Sequence, residues 1–228
     1  MLNNYCIVFD LDDTLYNEID YIKSGYFYLK KRLESKYNLK INYIPNLDEV
    51  KIKSKHIQLF KKKNLLKLVG VNELIELIRN HKPKIKITKK VLNLINYLSN
   101  NKCKICLITD GRKKTQINKI KSLGIKQYFD SISISEKIGF EKPHPKAFNN
   151  IVKKFPNKKY IYIGDNPKKD FVTPNRLGWL TIGIKNNKYR IHKLNSYIKK
   201  NYRPNIWIDE IEELNHKKIN KLLNNFYN

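Results

Sequence analysis

Short, nearly continuous apolar runs alternate along this chain with longer stretches in which apolar residues recur every three or four positions. Tyr5-Cys6-Ile7-Val8-Phe9 is β-branched and aromatic and stops at Asp10, which predicts a buried strand covered on both faces. From Asn17 to about His81 the period changes: Ile19, Ile22, Tyr26, Leu29 and Leu33 predict one helix. Further helices are expected over Leu47–Leu59 and Val71–Arg79, with Lys82–Ile87, which contains Pro83, as a connector. Thr88 is placed to cap a helix running through Ser99.

After that point strand and helix patterns take turns. Cys103–Thr109, Ser131–Ser135, Lys159–Gly164, Thr181–Ile184 and Asn205–Ile208 read as strands. Between them lie helical patterns over Lys113–Leu123, closed by Gly124, and over Pro145–Phe155. A third covers Lys168–Leu177, where Pro174 implies a kink or a later start, and a terminal helix is expected from about Glu210 to Phe226. Repeated β-α units predict an α/β fold with a doubly wound parallel sheet. Residues 1–16 and 88–228 form its core, and the helical stretch 17–87 is inserted after the first strand.

Composition narrows the classes. The 228 residues are 41% hydrophobic, enough to bury a core. No apolar run reaches the ~18 residues of a membrane span, and the start lacks a basic segment ahead of a long apolar one. The expectation is a soluble cytoplasmic protein with no membrane partner. Three cysteines make no disulfide framework. Cys103 and Cys106 have CxxC spacing, but in a strand an offset of three puts the sulfurs on opposite faces, so they read as buried and reduced.

The net charge of +27 raises the question of nucleic acid. Residues 1–16 carry three acids and no base, residues 17–87 carry 17 bases and 7 acids, and residues 88–228 carry 30 and 10. The two long stretches are almost equally basic per residue, so the charge reads as a general surface property that steers anionic substrates rather than as a nucleic-acid site.

Four motifs stand at predicted strand ends, where open α/β sheets bind ligands. They are Asp10-Leu11-Asp12-Asp13-Thr14-Leu15, Thr109-Asp110-Gly111, Lys142-Pro143, and Gly164-Asp165-Asn166-Pro167-Lys168-Lys169-Asp170. Asp10, Asp12 and Asp165 at neighbouring strand ends would repel one another without a cation between them. Oxygen donors with no Cys or His nearby favour a hard ion, Mg2+. Such an ion with Lys142 would neutralise a phosphoryl group, which the Thr109 hydroxyl and the backbone N–H groups of Asp110 and Gly111 would hold.

This set resembles the haloacid dehalogenase-like (HAD) superfamily: DxDx[TV], then a strand ending in Ser/Thr, then Lys, then an acidic GDxxxxD-type motif, here from Asp10 to Asp170. The resemblance implies that residues 17–87 are a helical cap. It implies that Asp10 is the nucleophile, forming a phosphoaspartyl intermediate, and that Asp12 is the general acid and then base. Asp10, the backbone carbonyl of Asp12 and Asp165 would hold Mg2+, with Asp170 supporting the metal's water shell or orienting Lys142. Because the dehalogenase branch lacks the second Asp, Asp12 selects a phosphatase.

The resulting expectation is a phosphoric monoester hydrolase acting on a small anionic phosphomonoester, a sugar phosphate or nucleoside monophosphate. A phosphomutase on the same core and a basic nucleic-acid-binding module remain alternatives. Substrate choice would lie in the cap, where Glu18, Asp20, Tyr21, Lys23, Ser24, Tyr26, Phe27 and Tyr28 are candidates, with His144 and Arg112 as weaker ones.

Overall fold

Five fully or almost fully buried residues, Tyr5–Phe9, form β1, the strand around which the sheet is built. The computed structural model describes residues 2–38, 40–41, 70–185 and 198–227, and elements are numbered over these. The helix expected over Leu47–Leu59 lies outside the described residues. The remaining strands are β2 (Lys104–Thr109), β3 (Ser131–Ile134), β4 (Lys159–Gly164), β5 (Leu180–Ile184) and β6 (Ile206–Ile208). All pairings are parallel, in the order β3-β2-β1-β4-β5-β6. The order reverses beside β1, so its carboxyl end opens into the crevice where such sheets take ligands.

Alternation along the strands separates two cores. Ile7, Phe9, Ile105, Leu107, Ile161 and Ile163 face α3 (Lys89–Asn100), α4 (Lys113–Leu123) and α9 (His216–Tyr227). Cys6, Val8, Cys106, Ile108 and Tyr162 face α6 (Lys146–Lys154), Phe171 and Trp179. Cys103 and Cys106 therefore fall on opposite faces, and Cys106 lies instead against Cys6, the two free thiols sharing a hydrogen bond with sulfurs 3.8 Å apart.

Between β1 and α3, α1 (Glu18–Tyr37) packs on α2 (Val71–Asn80) through Leu29, Leu33 and Leu74. Of the predicted stripe, Ile19, Tyr26, Leu29 and Leu33 are buried and Ile22 is half-buried. The Thr88 side chain caps α3, accepting from Val91 N–H at 3.3 Å.

Two helices differ from expectation. The predicted Lys168–Leu177 helix is two short ones, α7 (Pro167–Asp170) and α8 (Val172–Arg176). Pro174 sits in the first turn of α8, where its missing N–H has no helical partner to lose. Before α9, Ile211–Glu213 is a 3-10 turn held by a Glu210/Glu213 capping box, so the terminal helix starts at His216 and not near Glu210. Ser135, expected to close β3, instead opens the short α5 (Ser135–Ile138).

Candidate active site

The chain leaves β1 through a tight loop. Asp13 adopts a left-handed conformation (φ 55°), Leu15 N–H bonds Leu11 O, and the Asp13 carboxylate accepts the Glu18 N–H at the start of α1. This turn leaves Asp10 and Asp12 beside the ends of β2 and β4. One cavity of about 260 Å³ is lined by Asp10, Asp12, Thr109, Asp110, Gly111, Lys142, Asp165 and Asp170, together with five further residues. Every residue singled out in the four motifs for catalysis, metal or phosphate thus borders a single cleft.

Its floor is an acidic trio with a buried cation. Oxygens of Asp10, Asp165 and Asp170 lie within 4.8 Å of one another. Lys142 Nζ donates to Asp10 Oδ1 at 2.5 Å, Asp170 Oδ1 at 2.7 Å and the Tyr162 hydroxyl at 3.1 Å. Burial lifts Asp10 to about 8, with Asp170 and Asp12 pushing the same way and Lys142 opposing. Burial would discharge Lys142, but Asp10 and Asp170 outweigh it and hold the ammonium well above its usual range. Three convergent carboxylates form an oxygen-only donor set, which fits a hard divalent cation.

Asp12 points elsewhere. Its carboxylate accepts from Lys119 Nζ at 2.7 Å, Gln116 Nε2 at 2.9 Å and the Tyr16 hydroxyl, and it is not one of the trio. The expectation from sequence already places its backbone carbonyl, not its carboxylate, toward the ion. Burial raises its pKa, yet the Lys119 charge and the three donors outweigh this and hold the group below the usual carboxylate range.

Thr109 and Gly111 are already engaged. Thr109 Oγ1 accepts from Gln116 Nε2 at 2.6 Å, which leaves its own hydrogen to donate. Gly111 N–H donates to Ser135 Oγ at 2.9 Å, and the Asp110 carboxylate is taken by Lys142 N–H and Lys169 Nζ. In this arrangement Gly111 N–H has a partner within the protein, and Asp110 can offer an anion only its backbone.

Several contributors escaped the sequence reading. Gln116 and Lys119 share a helical face with Ile120 and Leu123, all four buried; two polar residues on the stripe of α4 that faces the core were the available signal. Gly164 has a sharper role, since a Cβ there would lie 2.6 Å from Asp170 Oδ2. Of the eight cap candidates only Glu18 lines the cleft; Tyr21 lies behind Asp12 against Lys119, and Asp20, Lys23, Ser24, Phe27 and Tyr28 line another cavity. His144 stacks on Phe140 and accepts the Lys146 N–H, an exposed loop role, while Arg112 pairs with Glu76 of α2 at 3.0 Å.

A family model described as haloacid dehalogenase-like hydrolase matches residues 7–184. The glyceraldehyde 3-phosphate phosphatase of Methanocaldococcus jannaschii is 30% identical over 196 residues, 81% of this chain and 86% of that protein. The pyrimidine 5'-nucleotidase YjjG of Escherichia coli is 30% identical over 96 residues, 41% of this chain and 40% of its own. The solved structure of a HAD phosphatase from Thermococcus onnurineus superposes with a TM-score of 0.60 at 19% identity, covering 94% of this chain and 96% of that one, a likeness of fold. The chain belongs to the haloacid dehalogenase-like hydrolase family.

Proposed function

We propose that the protein is a Mg2+-dependent phosphatase that hydrolyses a small phosphomonoester, a sugar phosphate or nucleoside monophosphate, through a phosphoaspartyl intermediate on Asp10. The observation that carries this is the convergence of Asp10, Asp12, Thr109, Lys142, Asp165 and Asp170 on one cleft, with the oxygens of three of the carboxylates within 4.8 Å of one another.

Asp10, Asp165, Asp170 and the backbone carbonyl of Asp12 would hold the ion. When bound it supplies positive charge that restores Asp10 to its ionised form and screens it from the phosphoryl oxygens. The substrate's negative charge beside Asp12 opposes the pull of Lys119 and favours protonation of its carboxyl. An Asp10 carboxylate oxygen then attacks phosphorus as the ester oxygen leaves, and Asp12 gives that oxygen its proton. Asp12, now ionised and stabilised by Lys119, then takes a proton from water as the water oxygen attacks the phosphoaspartate. Asp10 is released with inorganic phosphate. Lys142 neutralises the transferred group, and the Thr109 hydroxyl donates to one of its oxygens.

Residues 17–87 act as the cap. The chain leaves the sheet after β1 and rejoins it through α3, and α1 and α2 pack on each other in between. Both curated relatives are named for small phosphomonoesters, which supports a substrate of that size.

Phosphate release from a panel of sugar phosphates and nucleoside monophosphates tests the reading. Release requires Mg2+, stops with EDTA, and disappears in Asp10→Asn while the protein stays folded; Asp12→Asn lowers turnover by about 10²–10⁴. No release from any substrate, or full activity in Asp10→Asn, overturns the assignment.

A further inference from the structure

A second cavity, of about 680 Å³, opens between α1 and the connector 82–86, and it shares no residue with the catalytic cleft. Its size is within the range of small-molecule pockets. Its chemistry is specific. On the connector the burial alternates: Lys82, Lys84 and Lys86 are exposed while Pro83 and Ile85 are buried. The alternation puts the three lysines on the open side of the connector, and all three line the cavity. Lys23 and Lys31 of α1 also line the cavity, with Asp20 as the one acid among the described residues of its wall.

Two aromatic rings complete the wall. Phe27 is 49% exposed, unusual for a large apolar ring, and Tyr28 beside it leans on the His81 ring. The floor is held by buried polar contacts. Ser24 Oγ accepts the Lys84 N–H at 2.6 Å and bonds His81 Nε2 at 3.1 Å, pinning the connector to α1. The connector that carries the lysines is thereby tied to the helix that carries the rings.

We propose that this cavity binds a nucleoside polyphosphate, its base stacked on Phe27 and Tyr28 and its phosphates along Lys82, Lys84 and Lys86. Among the described lining residues, five cations surround one carboxylate, a balance that favours more negative charge than a monophosphate carries, and an exposed ring beside them matches a flat base. The cavity is concave and bounded, which suits a small ligand over a long strand. Binding does not depend on the phosphatase reading, because none of these residues takes part in it.

The test is calorimetric titration of ATP into the full chain carrying Asp10→Asn, so that turnover cannot consume the probe. ATP binds, and affinity falls roughly tenfold or more in the triple variant Lys82→Ala/Lys84→Ala/Lys86→Ala and again in Phe27→Ala. The exposed Lys121→Ala on α4 leaves it unchanged. These side chains are at the surface, so the variants are expected to fold. ATP binding that is absent, or equal in all variants, overturns the proposal. Tripolyphosphate binding as tightly as ATP and indifferent to Phe27→Ala reduces the site to an anion patch and overturns the nucleotide assignment. A short single-stranded oligonucleotide binding at least tenfold more tightly than ATP through the same residues overturns the small-ligand assignment.

Discussion

Lys119 reaches Asp12 from a helix more than a hundred positions away, and both side chains are largely out of water. Removing one partner of such a pair strands the other, so Lys119→Met is expected to cost about 3 kcal/mol in urea unfolding, at the low end for buried pairs because Asp12 is a fifth exposed. A loss below about 1 kcal/mol would mean that water replaces the lysine. Gly164 gives the opposite balance. The methyl group of Gly164→Ala would collide with Asp170 Oδ2, displacing the partner of Lys142. Turnover should fall by roughly 10², as a misplacement of about 1 Å does, while stability falls by only about 1–3 kcal/mol. Equal activity in wild type and variant would show that Asp170 need not hold its position. The Asp10–Asp170 motifs were readable because short, spaced carboxylates after strands are visible in one dimension. Gln116, Lys119 and Gly164 were not, because their meaning is what they touch.

At the level of elements the apolar period located nearly every strand and helix among the described residues. It failed where local hydrogen bonding competes with the pattern. Asn166 caps α7 by accepting from Lys168 N–H, and the helix ends four residues later although the apolar pattern continues. The Glu210/Glu213 box likewise closes a separate turn before α9. The α3 helix shows both kinds of term. Leu98, fully buried under the sheet, should cost about 2–5 kcal/mol when cut to Ala. Thr88→Ala should cost about 1 kcal/mol through the lost cap. Denaturant midpoints at constant slope would check both, and a larger loss at Thr88 would point to its added bond to Glu212.

Over the whole molecule, the packing of the connector against the two inserted helices rests on His81. Its Nδ1–H donates to Ile78 O, so Nε2 is the acceptor for Ser24, and the ring lies against Tyr21 and Tyr28. Burial and the Lys119 charge lower its pKa. The folded chain then binds fewer protons here than the unfolded one, so this stability is present above about pH 6.5 and is lost as pH falls below it. Asp10, raised to about 8 by burial, adds the opposite slope in the metal-free protein. The His81 share is therefore read as the difference between wild type and His81→Gln, which should lose the acid limb below about pH 6.5. Parallel curves would remove His81 from this role. The sequence by itself determined the strand and helix periods, the two-faced sheet and the identity of the chemistry, because apolar spacing and carboxylate spacing are local properties of the chain. Only the tertiary structure decided that Asp12 rests on Lys119, that Gly164 leaves room for Asp170, and that Lys82, Lys84 and Lys86 line one cavity with Phe27. Those relations join residues through burial and distance in three dimensions, where averages of charge and period along the chain carry no information.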